Sequence, residues 1–154
     1  MDSDAFIPFT DEDLSPEIAK KAERYYTVVD ETIALLCADE SLDTSTERLQ
    51  GRANRDGYIK SVYVDEFVVM LEYSRQLWKD PSKIDSPFWV AVCTRDWKQT
   101  DDMKNKIHYI DPLKKDDINY NYFYLALEPL KEATLDEVCL DLKRQVIEWV
   151  NLFR

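Results

Sequence analysis

Apolar residues recur at Ile18, Ala22, Tyr25, Val29, Ile33 and Leu36. Steps of three and four put them on one face of a helix. Ser15 can cap that helix and Pro16 suits its first turn, so a helix is predicted over 15–38. A second such face runs through Leu135, Val138, Cys139, Leu142, Val146, Trp149, Val150 and Phe153. Thr134 with Glu137 forms a capping box at its start, which predicts a C-terminal helix over 134–153.

Between these helices the pattern changes to that of strands. Tyr58–Val64 is rich in β-formers, and Phe67–Tyr73 and Phe88–Cys93 are apolar on both faces, as central strands are. In Tyr122–Glu128, Phe123, Leu125 and Leu127 share one face. A weaker strand is expected at Leu49–Ala53, joined to the next by the Asn54-Arg55-Asp56-Gly57 turn, where Asp-Gly would supply positive φ. Asp39–Glu47 is expected to be an acidic connector. Residues 99–121 are polar and read as a mobile or functional excursion.

Short links between strands favour antiparallel pairing, because parallel pairing needs long crossovers. The expected fold is α+β: one domain over 1–154, with an antiparallel sheet of about four to five strands. The amphipathic N-terminal and C-terminal helices would flank that sheet, both packed on one face. The parts are an acidic segment at 1–14, the helix at 15–38, a mainly β region at 47–128 and the helix at 134–153.

Composition removes several function classes. There are only two glycines, Gly51 and Gly57. Phosphate-cradling loops need more, so neither a P-loop nor a dinucleotide fingerprint can be written. Cys37, Cys93 and Cys139 are odd in number and widely spaced, which suits buried free thiols in a reducing compartment. The first ten residues lack the basic start of a signal peptide. No apolar run approaches the roughly 20 residues that span a bilayer. The expectation is a cytoplasmic protein with no membrane contact and no cofactor.

Charge changes the picture most. Residues 1–47 carry thirteen acids against three bases, whereas residues 48–154 carry eighteen against seventeen. The excess sits at the two ends of the first helix, with −5 over 1–13 and −4 over 39–47. Asp39 and Glu40 even oppose the negative end of the helix, at about 0.3–1 kcal/mol each when exposed. Such a field repels phosphate and attracts cationic surfaces. The expected partner is a basic protein, for instance a nuclease or another nucleic-acid-binding enzyme, and not nucleic acid itself. The expected role is a non-catalytic inhibitor acting by nucleic-acid mimicry, as immunity proteins for nuclease toxins and phage-encoded anti-defence inhibitors do. The partner-binding candidates are Asp11, Glu12, Asp13, Asp30, Glu31, Asp39, Glu40 and Asp43.

Two alternatives stand beside this one. Asp96-Trp97-Lys98 follows a strand and, with Glu72, has the residue types of a Mg²⁺-dependent nuclease site. The other alternative is an assembly subunit whose aromatic edges form a homodimer. Smaller signals are His108, the sole histidine, the same-parity Tyr120, Tyr122 and Tyr124, and the basic trio Arg48, Arg52 and Arg55. A lone histidine without CxxC pairs does not build a zinc site. Same-parity tyrosines suit sheet packing first. The arginines would offset the neighbouring acids or meet an acidic partner.

Overall fold

Pro16 opens helix α1 (Pro16–Ala38). The computed structural model describes residues 16–47, 49–54, 57–119 and 122–154. Along α1, Tyr25, Val28, Val29, Ile33 and Leu36 are buried, which is the face the spacing predicts. Helix α4 (Leu135–Leu152) is capped by Thr134, whose hydroxyl accepts from the Glu137 amide at 3.3 Å. Its inner face holds Val138, Cys139, Leu142, Val146 and Val150. Each aliphatic side chain buried this way contributes about 1.5–3 kcal/mol.

The sheet has seven strands, two more than the upper expectation. They are β1 (Thr44–Ser45), β2 (Arg52–Asn54), β3 (Gly57–Val64), β4 (Phe67–Ser74), β5 (Phe88–Thr94), β6 (Lys115–Asn119) and β7 (Tyr122–Ala126). The order is β1-β3-β4-β5-β7-β6, with β2 also paired to β3. Every pairing is antiparallel. The additional strands are short edge pieces. β1 lies within the predicted connector, and β6 lies within the predicted excursion.

Over its described residues, 99–119, that excursion is built largely of regular elements rather than loop. It contains α3 (Asp101–Ile107), capped by the Thr100 hydroxyl, with Met103 and Ile107 buried. A 3-10 turn (Pro112–Lys114) and β6 follow. Only two of seven helix residues face inward, so the segment reads as polar although it is anchored. Lys115 Nζ donates to the Ile107 carbonyl at 2.7 Å and Lys83 pairs with Asp116 at 3.5 Å.

Both long helices pack on one sheet face, against Val62, Val69, Leu71, Phe88, Val90 and Leu125. A second cluster forms on the other face from Val68, Met70, Trp89, Ala91, Cys93 and Tyr124, joined by Leu77 of α2 (Arg75–Trp78). Burial on both faces explains why β4 and β5 lack polar alternation. It also assigns Tyr124 to packing. Ser86 ties the layers together: its buried hydroxyl donates to the Leu127 carbonyl, and its own carbonyl accepts from Trp89 Nε1 at 2.9 Å.

Two local expectations need correction. Gly57 does not adopt positive φ. It is required because a Cβ there would stand 1.7 Å from the Tyr73 carbonyl oxygen across the β3–β4 ladder. Cys37 is exposed, unlike buried Cys93 and Cys139, because it falls on the outer face of α1 next to inward Leu36. Burial pushes the Cys93 thiol up to about 11, so it stays protonated and unreactive at neutral pH. Among the described residues, no helix is long and apolar enough to cross a membrane.

Candidate functional site

Helices α1 and α4 run in the same direction. Cys139 lies against the Val28 carbonyl (Sγ to O, 3.8 Å), and Lys143, one turn later, reaches Asp39 just past the end of α1 at 2.9 Å. Arg154, just past the end of α4, bonds the Asp65 carboxylate, which also accepts from the Asp43 amide at 3.1 Å. Both carbonyl ends therefore arrive at one end of the molecule. Neither helix has a basic residue in its last turn. Each helix end carries roughly half a negative charge, so the two reinforce each other there.

Carboxylates gather at this end. Asp39, Glu40 and Asp43 follow α1. Asp65 and Glu66 form the turn between β3 and β4, with Asp65 at φ 52°. The Asp65 amide donates to the Asp43 carbonyl at 2.7 Å, which staples the two segments together. Sequence reasoning missed Asp65 and Glu66. Their signal was two acids between two apolar strands, but no local feature says which end of the sheet receives them.

The candidate acids divide into held and open groups. Asp30 faces the sheet, where it accepts from Tyr58 Oη at 2.7 Å and pairs with Lys60 at 3.1 Å. Burial and then the Asp30 contact push the Tyr58 hydroxyl up to about 12. Asp39 accepts from the Ser41 hydroxyl at 2.6 Å and the Ser41 amide at 2.9 Å, besides Lys143. Those hydrogen bonds, the Ser41 hydroxyl first, hold its carboxyl down at about 2. Glu31, Glu40 and Asp43 are exposed. They make no ion pair with any described residue. Burial pushes the Cys139 thiol up, a hydrogen bond with Thr32 draws it back, and Glu31 and Asp136, one from each helix, push it up further. The open charge therefore extends from the helix ends along the α1–α4 face. Asp11, Glu12 and Asp13 lie outside the described residues.

Asp39 gives a pH prediction with a definite sign. Its folded carboxyl sits near 2, below the ordinary value of about 3.9. Its stabilisation is therefore complete above about pH 4 and is lost as pH falls through about 2. Asp65, held low mainly by Arg154, acts in the same direction. Carboxyl NMR titration should place Asp39 near 2 in the native chain and return it toward 3.8 in a Ser41→Ala/Lys143→Met double variant. An unchanged titration would mean that these contacts are not formed.

The residues of the nuclease alternative are not brought together. Glu72 pairs with Trp89, whereas Thr94, two residues before Asp96, pairs with Phe67. Five strand residues separate Glu72 from that end, roughly 17 Å. Asp96 belongs to a closed turn, in which the Trp97 amide donates to the Thr94 carbonyl and the Thr94 amide to the Lys98 carbonyl, both at 2.9 Å. Among the described residues, no group of three or more His, Cys, Asp or Glu could hold a metal ion. His108 is exposed at the end of α3, and Arg52 is exposed on β2. Arg48, Arg55 and Tyr120 lie outside the described residues.

Compared with known protein families, curated proteins and solved structures, the chain matches none.

Proposed function

We propose that this chain is a cytosolic, non-catalytic binding protein that neutralises a basic, nucleic-acid-binding protein through its acidic end. One observation carries the reading: two parallel helices deliver their negative ends to the place where Glu40 and Asp43 stand exposed and without ion pairs among the described residues. Carboxylates displayed on a rigid surface offer a basic groove the attraction it would find in phosphates. The field reaches about 8 Å at physiological ionic strength, so it acts chiefly on approach and orientation. The α1–α4 pair is packed on a two-sided core, so the charges need no reordering on binding. Free thiols at all three cysteines suit a reducing cytosol.

The test is capture of partners from host lysate at low and high ionic strength, beside a Glu31→Gln/Glu40→Gln/Asp43→Asn variant. The expected result is a basic protein retained at low salt, released at high salt and retained poorly by the variant. Capture that ignores both salt and these three substitutions would refute the proposal.

A further inference from the structure

A cavity of about 400 Å³ lies before the start of α4, against Tyr25 near the middle of α1. Tyr25, which lines it, precedes Asp39 by fourteen residues of α1, roughly 21 Å. The walls include Tyr25, Trp78, Pro87 and Leu130, and the exposed carboxylates Asp85, Glu128 and Glu132 also line it. None of these three makes an ion pair with a described residue. Lys131 is the only cation among the described lining residues, so acids outnumber bases three to one.

The walls are held by Gln145 from outside the cavity and by contacts among the lining residues themselves. Gln145 of α4 grips residue 128 on both sides, accepting from its amide and donating to its carbonyl, each at 2.8 Å. Trp78 Nε1 donates to Asp85 at 2.7 Å, and the Trp78 ring meets Tyr25 edge-on, 5.5 Å between centroids. Glu132 holds φ 54°, a backbone state that non-glycine residues keep only when their surroundings over-determine it. The cavity volume falls at the small end of ligand clefts, about 300–1,000 Å³.

Apolar and aromatic walls suit a long aliphatic stem, and three carboxylates suit a cation at its tip. Among side chains, arginine meets both demands best: its guanidinium is weakly hydrated, packs on aromatic rings and pairs with carboxylates through two parallel hydrogen bonds. We infer that this cavity receives an arginine side chain of the basic partner. The inference rests on the proposed function for the source of that arginine.

The probe is a capped Gly-Gly-Arg-Gly-Gly peptide, titrated into the full chain while the tryptophan indole and backbone amide NMR signals are followed. Saturable shifts should centre on the Trp78 indole and on residues 130–132. The lysine peptide should bind more weakly, and the citrulline peptide, which keeps the shape without the charge, should not bind. Glu128→Gln/Glu132→Gln alters only exposed groups and should weaken the arginine peptide about tenfold. The Glu31→Gln/Glu40→Gln/Asp43→Asn variant should bind this peptide as the native chain does. Shifts centred elsewhere, or citrulline equal to arginine, would overturn the pocket. The titration needs no macromolecule, so it can fail while salt-sensitive capture succeeds, which removes the pocket alone. Peptide binding without salt-sensitive capture supports the pocket and removes the acidic-end reading.

Discussion

Trp89→Ala should cost about 3–5 kcal/mol of folding stability, the range for truncating a buried aromatic side chain. Trp89 is fully buried near the start of β5, paired with Glu72 of β4 on one side and Ala126 of β7 on the other. The substitution also removes the indole donor of the Ser86 carbonyl, worth about 0.5–1.5 kcal/mol more. Domain stabilities lie near 5–15 kcal/mol, so roughly a quarter or more of the total is at stake. For a chain of this size the melting temperature should drop by about 7–26 °C, since each kcal/mol moves it by roughly 2–4 °C. Trp89→Phe keeps most of the burial and should lose much less. Urea unfolding of the three proteins decides the matter. An alanine variant within about 1 kcal/mol of the native chain would show that the sheet face away from the helices is not a true core.

Reversing Glu31, Glu40 and Asp43 to lysine should slow association with the captured partner by between about tenfold and a thousandfold at low salt. The formal net charge moves by six from −11, and all of the change falls on exposed carboxylates. Dissociation should change less, because screened surface charges act mainly on encounter. Stability should hold, since exposed sites without partners usually move it by less than about 0.5 kcal/mol each. Removing Glu40 also relieves its opposition to the end of α1. Asp39 does not belong in this variant. Lysine there would break the Ser41 bonds and face Lys143, confusing a folding defect with a binding defect. Stopped-flow association across a salt series gives the answer. An unchanged rate and salt slope would remove Glu31, Glu40 and Asp43 from the interface.

Elements with a local signature were readable in advance. α4 announces itself by Thr134, Glu137 and a regular apolar stripe, and it forms where expected. β4 and β5 were readable as central strands because burial on both faces leaves few polar residues in each. α3 was missed because Met103 and Ile107, four apart, are too short a stripe against five polar neighbours. β1 and β6 were missed because edge strands gain their identity from the strand they join, β3 and β7, not from their own composition. Gly57 was recognised as special for the wrong reason. Its constraint is the carbonyl of Tyr73, sixteen residues away in sequence and adjacent only once the ladder forms.

The candidate site shows the same division. The chain alone determined two amphipathic helices, an antiparallel α+β domain and an excess of acid around the first helix, because periodicity, capping and charge are carried by neighbours in sequence. Only the folded structure decided which carboxylates stay open. Asp30 and Glu31 are adjacent and alike in charge, yet about 100° apart around the helix axis. One turns to Tyr58 and Lys60 on the sheet, whereas the other faces solvent. Asp39 is met by Lys143 from the far end of the chain, while Glu40 beside it has no such partner among the described residues. Pairing of that kind depends on which surfaces the fold places within a few ångströms, and no stretch of neighbouring residues contains that information.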